Sequence, residues 1–283
     1  KCIKHDIAVY AAHTNLDVAD GGVNDLLAEA LGLTDTEVLV PTYSDPMKKL
    51  AVYVPKDYEE AVRTALGNAG AGHIGNYSHC AFSSEGIGSF KPLEGADPFI
   101  GQTGELELVH EVRLETVFPA SMEKTVVKAL KKSHPYEEVA YDIYPVEQSP
   151  LEKGLGRIGK LQQDMTLEEF ALFVKEKFDV NGVRMVGERN SKVKKVAVLG
   201  GDGNKYIYQA KRKGADVYVT GDLYFHVAHD AMMMGLNVVD PGHYAEKIMR
   251  KGTAEKLTAM AGEKNYDVRI FASETDTNPF TFL

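Results

Sequence analysis

Strand and helix segments alternate along the last part of the chain, from about residue 148 to residue 283. A repeated strand–helix order is typical of a mostly parallel sheet covered by helices. The residues before position 48 follow the same pattern, with an apolar run at 7–12 predicted as a strand and a helix at 25–31. The later segments are predicted as helices at 167–177, 205–213 and from about 244, and as strands at 195–199, 216–220, 237–239 and 267–271.

The block between these two stretches has a different order. Its apolar spacing predicts a strand, a helix, two strands, a helix and a strand, which is the ferredoxin-like signature. The predicted strands are 50–54, 76–83, 105–116 and 139–144, and the predicted helices are 58–69 and 122–132. We therefore predict an α/β core made from residues 1–47 and 148–283, interrupted by a ferredoxin-like α+β insert at 48–147.

The composition excludes several classes of protein. A net charge of −9 argues against a general nucleic-acid binder, which carries a basic stripe. No apolar run approaches the roughly 18 to 20 residues that a membrane span requires. The two cysteines, Cys2 and Cys80, are too few for a disulfide framework. We expect a cytoplasmic protein without a membrane partner.

Two pairs of histidine and carboxylate follow predicted strands near opposite ends of the chain. His13 and Asp17 come after the apolar run at 7–12, and His243 and Glu246 come after the run at 236–240. Ligands collect at the carboxyl ends of strands in α/β proteins, and imidazole and carboxylate groups bind divalent cations. Two alternatives stay open: a hydrogen-bonded histidine beside a turn aspartate, and a carboxylate favoured by the dipole at a helix start.

Three further segments carry polar residues that are candidates for chemistry. Asp222 and His226 form a third pair, four residues apart. The glycine-rich turn at 200–203 can bind a phosphate group, although a plain tight turn is the favoured interpretation. The segment His-Pro-Tyr-Glu-Glu at 134–138 combines metal-ligand residue types with a turn, and packing is its favoured role.

The motifs around these residues resemble the Nif-three-like family, also called the GTP cyclohydrolase I type 2 homologues. The middle block is similar to the PII/CutA-like domain that longer bacterial members carry. The resemblance implies a two-lobed Nif-three-like α/β core with an inserted ferredoxin-like (PII/CutA-like) α+β domain. The matching core segments are 12–17, 21–25, 154–159, 220–222, 240–244 and 273–280, and the insert contributes 134–137.

The same resemblance implies a metal centre. In the family, two divalent ions (Zn, Fe or Mn) are held by ligands from both lobes, and Asp17, His243 and Glu246 occupy the implied ligand positions. His13 and His226 are implied as nearby groups that move protons. The family also uses a His-His pair upstream of the first residue of this sequence. We therefore expect a preceding segment to be missing, and this chain alone to bind at most one divalent ion weakly without useful hydrolysis.

Two functions of different classes follow from the resemblance. The first is a two-metal hydrolase that acts on a small-molecule substrate, not identified by any residue pattern, through a metal-activated water. The second is a non-enzymatic metal-binding protein with a regulatory or scaffold role. The resemblance also implies self-association into a homohexamer, built as a trimer of dimers.

Overall fold

The chain folds into two compact units, each with its own sheet. The computed structural model describes residues 1–148 and 151–282. The first unit consists of Lys1–Tyr43 and Glu152–Leu283, and the second of Ser44–Leu151; the inserted block was predicted at 48–147. A mixed α/β fold with two sheets confirms the predicted fold class at this level.

The described residues form ten strands and eight α-helices. None of these helices is long and apolar enough to cross a bilayer. The strands are β1 (Thr34–Asp45), β2 (Met47–Pro55), β3 (Ala81–Phe90), β4 (Glu107–Pro119), β5 (Tyr141–Pro145), β6 (Leu151–Thr166), β7 (Arg184–Val186), β8 (Lys192–Asp202), β9 (Val217–Gly221) and β10 (Asn237–Asp240). The helices are α1 (Thr14–Val18), α2 (Val23–Ala30), α3 (Glu59–Asn68), α4 (Glu123–Ser133), α5 (Leu167–Lys177), α6 (Ile207–Arg212), α7 (Phe225–Met233) and α8 (Ile248–Glu263).

The sheet of the first unit has six strands in the order β1-β6-β8-β9-β10-β7. The central strands β8, β9 and β10 are parallel, whereas β6 and β7 pair with β8 and β10 in antiparallel fashion. Parallel neighbours need crossover connections, and α6 and α7 supply them here. This topology brings the carboxyl ends of three consecutive parallel strands to one edge.

Helices cover both faces of this sheet. Val196 and Val198 point into a core shared with α2 and α5, while Ala197 and Leu199 point into a second core shared with α6 and α7. Successive side chains of a strand point to opposite faces, so a strand buried on both faces is apolar at every position. The continuous apolar run of β8 follows from this requirement.

The glycine motif at 154–159 lies within strand β6 and has a packing role. Gly156 has a φ of +66°, and a Cβ there would lie 2.9 Å from the carbonyl oxygen of Val198. The buried Arg157 guanidinium donates to the carbonyl oxygens of Gly154 and Gly156 at 3.0 and 2.9 Å, and to the Asp25 carboxylate at 2.9 Å. The motif therefore joins β6 to β8 and to helix α2.

The second unit has a four-stranded antiparallel sheet in the order β3-β4-β2-β5. Its chain order is strand, helix, two strands, helix and strand, which is the split β–α–β arrangement. Helices α3 and α4 pack on one face, where Val52 and Leu114 of the sheet meet Leu66 and Val126 of the helices. Because successive side chains of a strand point to opposite faces, Tyr53 on β2 points to the face away from the helices.

Two segments that were predicted as strands are not strands. Residues 7–12 and 267–271 pair with no strand among the described residues, and Val9 and Tyr10 are exposed. A strand requires a neighbour that takes up its backbone N–H and C=O groups, and apolar spacing does not supply that neighbour. Conversely, β1 was not predicted because it begins with four polar residues, yet it pairs with β6.

Candidate metal centre

The candidate site lies where three parallel strands end. Strands β8, β9 and β10 end at Asp202, Gly221 and Asp240. The residues that follow β9 and β10 include Asp222 and His243. Because parallel strands end at the same edge of a sheet, polar side chains that are far apart in the sequence come together here.

Asp240 fixes the turn that presents His243. Its buried carboxylate accepts hydrogen bonds from the backbone N–H of Gly242 at 2.7 Å and of Leu223 at 3.0 Å. It also pairs with the Arg184 guanidinium. These contacts tie the loop after β9 to the loop after β10, so the two loops hold a defined geometry.

The imidazole of His243 is oriented by Asp222. The distance from His243 Nδ1 to the Asp222 carboxylate is 2.7 Å. This hydrogen bond raises the pKa of His243 above its ordinary value, against the opposing effect of burial. Asp222 itself has a φ of +54°, a conformation that non-glycine residues seldom adopt. A carboxylate on Nδ1 directs the Nε2 atom of the same ring toward the site.

Glu246 stands on the other side of this imidazole. Both residues lie in the 3₁₀ turn His243–Lys247, and His243 Nε2 is 3.5 Å from the Glu246 carboxylate. Burial raises the pKa of Glu246; the nearby His243 acts to lower it and the negative charge of Asp17 acts to raise it. The three-residue spacing of His243 and Glu246 places both side chains on the same side of the turn.

The glycine-rich turn at 200–203 passes close to these two side chains. A Cβ at Gly201 would lie 3.1 Å from Glu246 Oε1 and 3.3 Å from His243 Nε2. Gly201 also has a φ of +61°, which favours glycine. Because Gly201 has no side chain, the turn passes close to the His243 Nε2 atom without a Cβ to crowd it.

Asp17 contributes a third carboxylate within electrostatic range. It lies in the short helix α1, which begins after His13. Burial raises the pKa of Asp17, while His13 and His243 act to lower it. His13 likewise acts on Glu246. Charge interactions therefore connect the four side chains of the candidate site: Asp17, His13, His243 and Glu246.

Asn24 connects the Asp17 segment to the end of strand β8. Its side-chain amide donates to the carbonyl oxygen of Asp17 at 2.9 Å, and its side-chain oxygen accepts from the N–H of Gly200 at 3.0 Å. Asn24 is 1% exposed, so both hydrogen bonds are protected from water. A buried amide that joins two segments in this way positions them relative to each other.

Asp202 adds a fourth carboxylate at the same edge. It accepts a 2.6 Å hydrogen bond from the Tyr224 hydroxyl and a 3.0 Å hydrogen bond from the Asn204 N–H. Burial acts to raise its pKa, but the hydrogen bonds from Tyr224 and Asn204 lower it below the usual range. Asp202 is therefore held as a charged group near His243.

None of the contacts described above involves the predicted catalytic histidine His226. It lies on helix α7, is exposed, and its ring contacts Phe225 edge-on with centroids 5.5 Å apart. Asp222, which the sequence pairs with His226 by spacing, bonds to His243 instead. The position of Asp222 directly after a predicted strand was the sequence signal that it belongs to the site. Asn24 carried no comparable signal.

The side chains of this site are of the right type for a divalent cation, but too few of them lie together. Imidazole nitrogen and carboxylate oxygen are suitable ligands for Zn, Fe and Mn, and His243 and Glu246 are already adjacent. Across residues 1–148 and 151–282, however, no three His, Cys, Asp or Glu side chains are placed together to hold an ion as they stand. A metal at His243 and Glu246 requires a further donor to move closer, and Asp17 is the nearby candidate.

The segment at 134–138 belongs to the second unit. The His134 Nε2 atom is 2.9 Å from the carbonyl oxygen of Tyr53, and its Nδ1 accepts from the N–H of Tyr136 at 3.1 Å. Both ring nitrogens are therefore used within the fold, which agrees with the packing role favoured by the sequence. Burial lowers the pKa of His134.

Comparisons with known proteins match all or nearly all of the chain. The model of a family described as Duf34/NIF3 (NGG1p interacting factor 3) matches residues 1–279. A Bacillus subtilis (strain 168) protein named GTP cyclohydrolase 1 type 2 homolog is 81% identical over 283 residues, which are 100% of this chain and 76% of that protein. The crystal structure of a Bacillus cereus protein related to NIF3 has 62% identity and a TM-score of 0.90, covering 100% of this chain and 75% of the other. A Staphylococcus aureus crystal structure has 35% identity and a TM-score of 0.71, covering 99% and 74%.

Proposed function

Because this chain belongs to the Duf34/NIF3 family, we propose that it binds divalent metal ions and hydrolyses a small molecule. The proposed ligands are Asp17, His243 and Glu246. The resemblance to the family extends this proposal to two ions per complete site, with Zn, Fe or Mn as the metal. The first unit is then the part of the protein that carries the chemistry.

The observation that carries the proposal is the position of the His243 imidazole between two carboxylates. Nδ1 lies 2.7 Å from Asp222, and Nε2 lies 3.5 Å from Glu246. Metal-binding histidines regularly donate their second ring N–H to a carboxylate, which fixes the ring and makes the other nitrogen a better ligand. Gly201 has no side chain, so no Cβ crowds that nitrogen.

A divalent ion lowers the pKa of a coordinated water and polarises carbonyl, imine or phosphoryl groups. The side chains of the site have separate tasks around that chemistry. Asp222 holds the His243 ring, and His13, which is exposed at the start of α1, holds and transfers a proton. Asp202 adds negative charge at the same edge of the sheet.

The relatives suggest the first substrate to test. Curated relatives that are 81% and 58% identical to this chain are named GTP cyclohydrolase 1 type 2 homolog. We propose GTP as the first substrate, with cyclic amides and phosphoesters as further candidates. Opening of the purine ring of GTP is a hydrolytic reaction and suits the proposed site.

The test combines metal analysis with turnover on the full-length protein. The protein is loaded with Zn²⁺, Fe²⁺ or Mn²⁺ in turn, and both the bound metal and the consumption of GTP are measured. We expect His243→Ala to remove metal and turnover together, while the exposed His229→Ala retains both. Metal binding that survives His243→Ala would overturn the proposed site.

A non-enzymatic role is the alternative, and the second unit favours it. The split β–α–β order of residues 44–151 agrees with the PII/CutA-like insert implied by the resemblance, and such a module suits a regulatory or scaffold function. Tight metal binding without turnover of any candidate substrate would support this alternative.

We also propose a homohexamer, arranged as a trimer of dimers. A monomeric mass for the full-length protein in solution would contradict it.

A further inference from the structure

The second unit contains a cavity that the proposed metal chemistry does not use. Its volume is about 610 Å³, which is within the range of small-molecule sites. Its floor includes Tyr53, Arg113 and Ser84, which are register partners on β2, β4 and β3. These residues alternate with the apolar ones that pack against α3 and α4, so the floor is the sheet face opposite the helices.

Aromatic side chains form one wall of the cavity. Tyr136 contacts Phe90 and Phe99, with ring centroids 5.9 and 6.3 Å away. The N–H of Asp97 donates to the Glu137 carboxylate at 3.0 Å, which ties the segment after β3 to the segment that carries Tyr136. The wall therefore suits a flat apolar body.

A buried carboxylate, Glu111, completes the site. It is 9% exposed, and its Oε1 accepts a 2.8 Å hydrogen bond from the Tyr136 hydroxyl. Burial, followed by the contact with Glu111, raises the pKa of Tyr136, so this hydroxyl remains a donor. Within the described residues, no donor contacts the second oxygen, Oε2. A Cβ at Gly88 would overlap that oxygen, so this glycine gives the carboxylate its room.

Among the ion pairs of the described residues, none involves Glu111. Arg113 pairs with Glu115 at 2.8 Å and donates to the Tyr144 hydroxyl at 3.1 Å. The lining contains four glutamates and two basic residues, Arg113 and Lys91. A buried carboxylate with an unused oxygen favours a ligand that donates N–H groups and carries positive charge.

We propose that this cavity binds a small aromatic amine or amidine. The cationic N–H groups bond to Glu111 Oε2, and the ring packs among Phe90, Phe99 and Tyr136. Aromatic faces add a favourable interaction with a cation. The proposal assigns a ligand-binding role to the second unit and stands independently of the metal centre.

Three probes of similar shape differ in charge and so test the role of charge: the cationic benzamidine, the neutral benzamide and the anionic benzoate. Binding to the full chain is measured by calorimetry and by chemical-shift changes of residues lining the cavity. Charged hydrogen bonds are stronger than neutral ones by about 1 kcal/mol, which corresponds to about fivefold in Kd. We therefore expect benzamidine to bind at least about fivefold more tightly than benzamide, and benzoate to bind more weakly than both.

Two variants locate the site. Glu111→Gln keeps an acceptor for Tyr136 but removes the charge, and we expect benzamidine to bind about tenfold more weakly. Glu107→Gln, at the start of the same strand and outside the cavity lining, is the matched control and should stay within about twofold. Gly86→Leu should abolish binding of every probe, because Gly86 lines the cavity and a Cβ there meets open space.

Several outcomes would overturn the proposal. One is the lack of benzamidine binding at millimolar concentration, and another is equal binding of benzoate. Unchanged binding by Glu111→Gln or Gly86→Leu would have the same effect. If Glu111→Gln does not fold, Gly86→Leu decides the matter, with Gly262→Leu as its control because a Cβ at Gly262, in α8, also meets open space.

Discussion

The Asp222 carboxylate lies 2.7 Å from Nδ1 of His243, although the two residues are on different strand-end loops. Their juxtaposition follows from the parallel pairing of β9 and β10. It turns the Nε2 atom of the same ring toward Glu246. The relationship makes Asp222 a positioning residue for the proposed metal ligand His243.

Asp222→Asn should lower the affinity for Zn²⁺ by about 10- to 100-fold, because removal of a carboxylate partner from a metal-binding histidine has effects of this order. The measurement is a calorimetric titration of the metal-free chain with Zn²⁺. Asp230→Asn changes an exposed aspartate on helix α7 and serves as the control. Equal affinities of the two variants would argue against the orienting role.

The two histidines His243 and His226 should differ sharply in their contribution to metal binding. His243→Ala removes a proposed ligand, whereas His226→Ala changes an exposed side chain whose ring contacts Phe225. We expect His226→Ala to leave the Zn²⁺ affinity within about twofold of the parent, since substitution of a non-ligand removes no donor. A large loss of Zn²⁺ affinity in His226→Ala would contradict this expectation and indicate that His226 belongs to the site.

Asn24→Ala should destabilise the first unit by about 2 kcal/mol, because it removes two buried hydrogen bonds and leaves their backbone partners unsatisfied. Urea unfolding provides the measurement. Asn190→Ala, at an exposed turn position, should change the unfolding free energy by no more than about 0.5 kcal/mol. If the Asn24 variant is as stable as this control, the amide does not hold the two segments together.

The stability of the second unit should depend on the protonation of His134. Burial lowers the pKa of His134 in the folded chain, so the unfolded chain binds the proton more readily. The stabilisation by His134 is therefore complete above its unfolded pKa of about 6.5 and declines as the pH falls toward the lowered folded pKa.

This dependence is measured as the difference in unfolding free energy between the parent chain and His134→Gln. The difference should be largest near about pH 7.5 and should shrink below about pH 6.5. His73→Gln, at an exposed position of the same unit, should show no such trend. A difference that stays constant over this range would contradict the buried neutral state of His134.

Truncation at two neighbouring positions on α5 should lower the unfolding free energy by very different amounts. Phe170 is fully buried, whereas Leu172 is 61% exposed. Phe170→Ala should lower the unfolding free energy by about 3 to 5 kcal/mol, since it removes apolar contacts and leaves a cavity. Leu172→Ala should change it by no more than about 0.5 kcal/mol. Similar losses in the two variants would contradict the orientation of the helix.

Local patterns in the sequence predicted the elements that carry their own signal. Helix α5 has the predicted bounds because Thr166 and Glu169 form a capping box at its start, and such a box depends on residues that are close in the sequence. Family membership was also predicted, and the comparisons confirm it. The runs at 7–12 and 267–271 were predicted wrongly because a strand depends on a partner elsewhere in the chain.

The sequence by itself determined the α/β class, the family and the residue types available for a metal centre. It did not determine which side chains meet. Spacing alone paired Asp222 with His226, whereas the parallel order of β9 and β10 gives Asp222 to His243. Tertiary structure also placed Asn24 between Asp17 and Gly200, and Glu111 beside Tyr136. The physical reason is that each of these contacts joins segments separated along the chain, and strand pairing and core packing decide which segments become neighbours.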